Sequence, residues 1–353
     1  MRVREKMPHR LKACAILPAA ALVSILAASP LGCSRYASFE LPSPAAGVAP
    51  AVFRWNPLAA PVLTRGAAGE WDSVDVLNPS VVRRGEIYYN LYSGFDGKTW
   101  HTGLAASSDG VSWTRMGRVL SPGPAAWEGA YIAANGSVLV SGDEFLYWYQ
   151  AGTPPSIGLA RSHDAIRWTK ASEPVLPGGP RGSWDERGAA DPYVIQVGGR
   201  FYMYYLGQDR ARRQRLGVAR SEDGTRWQKL LSNPVLDLGA AGAFDENGLG
   251  EPAVWASYGR YWMLYTGRDR MERRRIGQAW SLDGVRWNRL PADSAFAGTL
   301  AWNAKVVCDP SVMLEESRIL VWFGGGDVAA PAQNLHGQIG LATLVPVGAN
   351  LSR

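Results

Sequence analysis

Alternating apolar and polar positions recur along most of the chain and predict short β-strands joined by turns. Aromatic-rich runs, such as residues 87–92 and 201–205, have the composition and length of half-buried strands. After each run, a further short strand ends in Ser and is followed by Asp-Gly or Asp-Ala and then by a Trp. Because Asp-Gly favours a tight turn between antiparallel strands, these segments predict β-hairpins in which the Trp covers the core.

The hairpin segment recurs and gives the chain an internal repeat of about 55 to 60 residues. Its four copies lie at residues 104–113, 159–168, 218–227 and 278–287. A second segment opens every repeat, at residues 76–82, 133–139, 189–195, 249–255 and 307–313. A fifth strand segment, residues 338–343, lacks the hairpin, as a terminal repeat can. Four antiparallel strands at this period describe a propeller blade. We therefore predict an all-β, five-bladed β-propeller with four antiparallel strands per blade over residues 51–348, with residues 52–55 supplying an outer strand.

The first 33 residues predict an export signal. A basic stretch precedes an apolar, Ala-rich segment that is too short for a confident membrane span, and the segment ends in Leu31-Gly32-Cys33. This ending resembles a bacterial lipoprotein cleavage site, so we expect lipidation at Cys33. The alternative is ordinary signal-peptide cleavage near Ser29. Residues 34–50 are expected to form a flexible linker. An exported lipoprotein of the bacterial outer membrane or periplasm, or otherwise a secreted protein, is therefore predicted, with the lipid as its only attachment to a membrane.

Composition excludes several functional classes. Apolar residues make up 46% and charged residues 19% of the chain, which is typical of a globular protein. The net charge of +6 comes with no basic stripe, so nucleic acid is not an expected partner. Cys308 is the one cysteine outside the export segment, which excludes a disulfide framework. No zinc-type cluster or phosphate-binding glycine loop is present, and we expect a monomer.

Five residues at one repeat position are predicted to line the central funnel. Each lies just before a Pro or Gly at the start of the innermost strand of its blade. They are Asn78, Asn135, Asp191, Glu251 and Asp309. Three converging carboxylates repel one another unless solvent, a cation or a substrate uses them. This arrangement favours a functional site over a set of turn caps, and it leaves a funnel-bound calcium ion as an open alternative; no other cofactor is predicted.

The order and spacing of these acids resemble the five-bladed glycoside hydrolases of families 43, 62, 32 and 68, from about Trp55 to Val345. The resemblance implies a hydrolase of the arabinofuranosidase, xylosidase or arabinanase kind. It assigns Glu251 as the general acid and Asp191 as the residue that orients this acid and raises its pKa. The same resemblance implies an Asp base or nucleophile in the first blade, where this chain has Asn78.

Asn78 leaves three alternatives open, because an amide can neither take a proton from water nor attack a sugar. Asp75 or Asp309 could serve as the base. The protein could instead be a noncatalytic glycan-binding protein. Or phosphate could be the nucleophile, since Asn-Pro in the first blade is similar to the mannoside phosphorylases of family 130. The Glu-Asp-Pro-Arg motif of that family is replaced here by residues 190–193, Ala-Asp-Pro-Tyr.

Loops on the funnel side of the repeats supply further candidates for substrate binding. Two loops are rich in arginine and include Arg212 and Arg273, and guanidinium groups bind carboxylates and phosphates. They predict an anionic glycan, such as a uronate-containing or phosphorylated polysaccharide. Other loops bring Trp100, His101 and His336 toward the rim, where an aromatic ring can stack on a sugar.

A second set of acids opens every repeat next to an aromatic residue. Its members are Asp72, Glu128, Asp185 and Asp245, with Asn303 in the fifth repeat. Because they recur in every repeat, we expect them to stabilise the scaffold rather than to take part in chemistry.

Overall fold

The computed structural model describes residues 35–123 and 125–348. The export segment and Cys33 lie outside the described residues. Nearly all regular structure is β, with two short 3-10 helices at Ala292–Ser294 and Ala301–Asn303. The strands are β1 (Tyr36–Ala37), β2 (Val52–Pro57), β3 (Asp75–Arg84), β4 (Ile87–Phe95), β5 (Trp100–Ser107), β6 (Thr114–Leu120), β7 (Ala133–Ser141), β8 (Glu144–Ala151), β9 (Ser156–Ser162), β10 (Thr169–Lys170), β11 (Ala189–Val197), β12 (Arg200–Gln208), β13 (Gln214–Ser221), β14 (Gln228–Leu230), β15 (Gly248–Ser257), β16 (Arg260–Arg268), β17 (Arg274–Ser281), β18 (Asn288–Arg289), β19 (Val306–Leu314), β20 (Ile319–Gly326) and β21 (Gln338–Val347).

Neighbouring strands in sequence pair antiparallel and form consecutive units that match the repeat. Strands β3 to β6 form one sheet, β7 to β10 a second, and β11 to β14 a third that β1 extends. The fourth sheet contains β15 to β18 and β19 to β21, joined by one parallel bridge between Arg274 and Val306. Strand β2 pairs with β21, so the start of the folded region closes onto its end. The prediction of an all-β fold is confirmed.

The predicted hairpins owe their shape to side-chain contacts with the backbone. In the first repeat, Ser107 Oγ accepts a hydrogen bond from the amide of Gly110 at 2.9 Å. Asp109 Oδ1 accepts bonds from the amides of Val111 and Ser112 at 2.8 and 2.7 Å, and these bonds lower the pKa of Asp109 to about 2. The Gly at the turn has a positive φ of 74°, which glycine adopts at little cost. The same contacts recur around Ser221 and Ser281.

Residues 35–50 differ from the flexible linker that the sequence suggests. Tyr36 and Ala37 pair in parallel with Lys229 and Leu230, and Leu41 is buried in the core between the third and fourth repeats. The hydroxyl of Tyr261 donates to the carbonyl of Pro42 at 2.5 Å. Leu41 is therefore covered by the folded region, and residues 35–50 form a strap across the repeats. Among the described residues, no helix has the length and apolar character needed to span a bilayer.

Candidate active site

A β-bulge in the first strand of every repeat aims one side chain toward a shared centre. The pairing register shifts at the same place in β3, β7, β11, β15 and β19. The residue at each shift has a positive φ of 43° to 53°, a backbone region that non-glycine residues seldom occupy. These residues, here called the inner ring, are Asn78, Asn135, Asp191, Glu251 and Asp309. Strain at five equivalent positions is typical of a functional site, where local geometry serves chemistry rather than stability.

The inner ring lies at the base of a cavity of about 220 Å³, here called the carboxylate cavity. Below the ring, a narrow waist of about 30 Å³ is lined by the inner ring and by the residues that follow it. The walls of the carboxylate cavity combine aromatic, amide and guanidinium groups. They include Trp100, Tyr131, Gln150, Gln208, Gln214, Arg268 and Arg274. Such a concave site with a few converging polar groups is typical of ligand binding.

Two of the three carboxylates hold hydrogen bonds to neighbouring repeats. Asp191 Oδ1 accepts a bond from the side-chain amide of Asn135 at 3.2 Å. Asp309 Oδ2 accepts bonds from the backbone amide of Asn78 and from the thiol of Cys308, both at 3.1 Å. These contacts fix the orientation of Asp191 and Asp309 around the cavity.

Glu251 differs from its two neighbours because one of its carboxylate oxygens is free. Its Oε2 atom is buried and has no hydrogen-bond partner. A buried oxygen without a partner costs free energy, so its retention points to a bound ligand or a transferred proton as its partner. Of the three acids, Glu251 is also the one that is not fully buried.

Two of the three carboxylates, those of Asp191 and Asp309, favour proton binding at neutral pH. Burial, followed by the charges of Glu251 and Asp309, raises the pKa of Asp191 well above its ordinary value. Burial and the charge of Glu251 raise the pKa of Asp309 to about 7. Like charges in one buried site cannot all ionise at little cost, so the cluster keeps protons that an isolated carboxylate would lose. Such a cluster can donate a proton to a departing oxygen atom near neutral pH.

Two arginines that line the cavity, the buried Arg274 and the partly buried Arg268, supply positive charge beside the acids. Arg274 begins β17 and donates to the carbonyl of Pro331 at 2.9 Å, and Arg268 ends β16 and donates to the same carbonyl at 3.0 Å. Although burial opposes its charge, the neighbouring Cys308, Glu251 and Asp309 raise the pKa of Arg274. Together, the acids and the arginines can protonate a leaving group and hold an anion in one cavity.

Part of the chain matches a family of carbohydrate-active enzymes. The family model described as beta-1,4-mannooligosaccharide phosphorylase, glycoside hydrolase family 130, matches residues 133–237. This region contains Asn135 and Asp191 of the inner ring. A relative in Mycobacterium tuberculosis, an uncharacterized protein, is 28% identical over 224 residues, which cover 59% of this chain and 72% of the relative.

Solved structures of glycoside hydrolases share the fold. A family 130 structure, from work on glycoside hydrolases that target beta-1,2 mannosidic linkages in Candida mannan, has a TM-score of 0.66 at 18% identity and covers 89% of this chain and 99% of its own. A family 117 glycoside hydrolase of Zobellia galactanivorans has a TM-score of 0.63 at 16% identity, covering 83% and 90%. A putative glycoside hydrolase of Bacteroides ovatus has a TM-score of 0.66 at 16% identity, covering 82% and 96%.

These matches support a carbohydrate-active enzyme with the β-propeller-like fold of glycoside hydrolases. They do not support the narrower resemblance to families 43, 32, 62 and 68, or an enzyme of the arabinofuranosidase, xylosidase or arabinanase kind. The family model that matches is that of family 130, which the sequence suggested only through the Asn-Pro pair at Asn78.

Asp75 has a structural role and does not line the cavity. It is fully buried and accepts hydrogen bonds from the backbone amides of Asn334, Leu335 and Gly337 at 2.6, 2.9 and 2.8 Å. These three bonds hold the carboxylate of Asp75 against the loop between β20 and β21, away from the carboxylate cavity, so Asp75 anchors that loop and is not placed to act as a base. Asp309 therefore remains the better candidate of the two.

The aromatic and histidine candidates lie in different surroundings. Trp100 lines the carboxylate cavity and stacks on Phe95, with ring centroids 4.7 Å apart. His101 points away from this cavity and is buried against Ser121, whose Oγ lies 3.0 Å from its Nδ1. His336 is half exposed, pairs with Asp327 at 2.8 Å and does not line the cavity. Only Trp100 is therefore placed to contact a sugar there.

The arginines that reach the cavity are not those at the tips of the loops. Arg212 and Arg273 are exposed and do not line the cavity, whereas Arg268 and Arg274 do. Sequence reasoning did not single out Arg268. A signal was present, because Arg268 pairs with Arg274 across one hairpin just as Gln208 pairs with Gln214 in the preceding repeat, and all four line the cavity.

Within residues 35–123 and 125–348, no group of three or more His, Cys, Asp or Glu side chains is arranged to hold a metal ion.

Proposed function

We propose that the protein is a five-bladed β-propeller enzyme that cleaves a glycosidic bond in an oligosaccharide, with inorganic phosphate as the nucleophile. The observation that carries the proposal is that Arg268 and Arg274 line the same cavity as a carboxylate cluster that has Asn78 where a protein base would stand. The match to the mannooligosaccharide phosphorylase family supports it. A β-linked mannooligosaccharide is the substrate to test first.

Each group in the cavity has a role in this reaction. Arg268 and Arg274 bind the phosphate dianion, and Trp100 packs against the sugar. Glu251 gives its proton to the glycosidic oxygen as the bond from this oxygen to the anomeric carbon breaks. A phosphate oxygen forms the new bond to that carbon, which yields a sugar 1-phosphate and a shortened oligosaccharide. Glu251 then regains a proton from solvent, and no protein base is needed.

Hydrolysis is the second candidate, and the position of Asp309 favours it. Asp309 lies next to the backbone of Asn78, and its pKa of about 7 lets a fraction of the molecules ionise at neutral pH. In this case water attacks the anomeric carbon, Asp309 takes the proton of that water, and Glu251 again protonates the leaving oxygen.

Product analysis with and without phosphate separates the two reactions. The purified protein is incubated with β-1,4- and β-1,2-linked mannooligosaccharides, and sugar 1-phosphate and free reducing sugar are quantified separately. Phosphorolysis gives sugar 1-phosphate that depends on added phosphate and disappears in Glu251→Gln. Free sugar that is independent of phosphate identifies a hydrolase. Binding of the oligosaccharide without either product would contradict both proposals and favour a noncatalytic glycan-binding protein.

Two further predictions from the sequence belong to this proposal. Export with a lipid at Cys33 would bring the enzyme to oligosaccharides outside the cytoplasm. Mass spectrometry of the mature N-terminus, compared with that of Cys33→Ala, tests it. The exposed arginines Arg212 and Arg273 would favour an acidic glycan, which is tested below.

A further inference from the structure

One position below the inner ring breaks the symmetry of the repeats. The residue two places after each inner-ring residue is small in four repeats and aromatic in one. In chain order these residues are Ser80, Ser137, Tyr193, Ala253 and Ser311. The serines have a regular scaffold role, since Ser80, Ser137 and Ser311 each accept a hydrogen bond from the backbone amide of an adjacent first strand at 2.8 to 3.0 Å. Tyr193 cannot be explained in this way.

The side chain of Tyr193 crosses the space that the five first strands surround. Tyr193 starts from β11 in the third repeat, and its hydroxyl donates to the carbonyl of Val312 on β19 in the fifth repeat at 3.4 Å. Its ring packs against the core on both the third-repeat and the fifth-repeat side. Burial raises the pKa of Tyr193 to about 12, so the hydroxyl stays neutral and serves as a donor.

Tyr193 lines two open spaces. Above it lie the waist and the carboxylate cavity, and Tyr193 lines the waist. Below it lies a wider bowl of about 930 Å³, whose wall includes Tyr193, Val138, Val194 and Glu315. With serine or alanine at the other four positions, the Tyr193 ring is the large side chain that stands between the bowl and the acids.

We propose that Tyr193 is a positioning residue that forms the floor of the carboxylate cavity and keeps bulk water in the bowl from reaching Asp191, Glu251 and Asp309. A closed floor leaves the funnel mouth as the route by which the attacking molecule enters. With less water below them, Asp191 and Asp309 keep their protons more readily and the fixed donors around them act more strongly. The floor therefore limits the water that reaches the acids from the bowl and competes with phosphate as the attacking molecule.

Several charged groups face the cluster and set the background for this effect. They are the three inner-ring acids themselves, Cys308 beside Asp309, Arg274 on β17, and Arg268 on β16 with its partner Glu272. None of these is altered by a change at Tyr193, so a change in their titration reports on the entry of water from below.

The test measures carboxyl titration directly and does not require activity. The protein is labelled with ¹³C at the Asp and Glu carboxyls, and the high-pKa resonances are assigned with Asp191→Asn and Asp309→Asn. In Tyr193→Ala the raised pKa values are expected to fall by about one unit or more, because water solvates the charged forms. Tyr193→Phe keeps the ring and is expected to leave them unchanged. Tyr89→Ala, which removes a half-buried tyrosine that packs on Phe145 away from the cavity, controls for loss of packing.

The catalytic role of the Tyr193 floor rests on the proposed function, but the titration experiment tests the floor without requiring activity. Unchanged carboxyl titration in a folded Tyr193→Ala protein, or the same fall in Tyr89→Ala, would overturn the floor. If wild-type protein cleaves the oligosaccharide, Tyr193→Ala should also raise the ratio of free sugar to sugar 1-phosphate several-fold. If the titration shifts as expected while no variant forms product, the floor stands and the proposed reaction fails.

Discussion

The two sets of acids in this fold differ in how completely they are paired. The outer acids, Asp72, Glu128, Asp185 and Asp245, are all buried, and each accepts a hydrogen bond from a tyrosine hydroxyl and lies within 3.3 Å of a lysine or arginine nitrogen. The inner ring has two amides followed by three acids, and its backbone is strained. The outer acids, each paired with a hydroxyl and a positive charge, stabilise the scaffold. The inner-ring acids lack such pairing, which is typical of residues that take part in a reaction.

The largest expected effect is a loss of turnover on substitution of Glu251 in the inner ring. Glu251→Gln keeps the size of the side chain but cannot donate a carboxylic proton, so turnover of the oligosaccharide should fall by about 10³-fold. Substrate binding should remain, since hydrogen-bonding groups are retained. Initial rates and calorimetric titration of the same preparation measure both. Matched losses of binding and turnover would assign Glu251 to binding rather than to proton transfer.

The next largest effect is expected on substitution of an outer acid, which should lower stability rather than turnover. Asp185 Oδ2 lies 2.5 Å from the buried Lys229 Nζ, and it also accepts the hydroxyl of Tyr205 at 3.1 Å. Asp185→Asn leaves the lysine charge buried without its partner, so we expect a loss of about 3 kcal/mol in the free energy of unfolding. Urea unfolding measures it, and the turnover of the folded fraction should stay within about twofold of wild type.

A matched double variant sharpens that result. Asp185→Asn combined with Lys229→Met removes both charges and should recover part of the lost stability, because no unpaired ion remains buried. A double variant that is less stable than either single variant would show that the charges matter less than their hydrogen bonds.

A smaller effect is expected in the pH dependence of the free energy of unfolding, which should depend on the inner ring through Asp309. The pKa of Asp309 is raised from 3.8 to about 7 on folding, so the folded state binds this proton more tightly than the unfolded chain does. The free energy of unfolding should therefore decrease as the pH rises from about 4 to about 7. Asp309→Asn should flatten this dependence in urea titrations at pH 5 and pH 8. A decrease of the same size in the variant would assign the dependence to other groups.

The features that could be predicted from the sequence are those that depend on local, repeated patterns. The strands, hairpins and inner-ring positions could be predicted because each depends on local signals that recur: a run of aromatic residues, an Asp-Gly turn, an acid before Pro. The scaffold role of the outer acids follows from the same recurrence.

The wrong or missing assignments depend on contacts that are distant in the sequence. Asp75 binds a loop about 260 residues away, which no local pattern reveals. Arg268 and Arg274 reach the cavity because they lie at strand ends, whereas the more conspicuous arginine tips turn to solvent. Residues 35–50 carry Pro and small residues typical of a linker, yet Leu41 finds a buried site between two repeats. The role proposed for Tyr193 could not be predicted from the sequence, because it depends on the four small residues at the same repeat position surrounding one space.

The smallest expected effect concerns the exposed arginines outside both sets. Arg212 and Arg273 lie on solvent-exposed loops, where screening weakens charge interactions. If an acidic glycan extends from the cavity onto these loops, the double variant Arg212→Ala, Arg273→Ala should weaken binding of a uronate-containing oligosaccharide by about two- to fivefold at low salt, with little change for a neutral one of equal length. Binding isotherms at two salt concentrations measure this difference. Equal changes for both glycans would show that the loops act through shape rather than charge, and would restrict anion recognition to the arginines that line the cavity, Arg268 and Arg274.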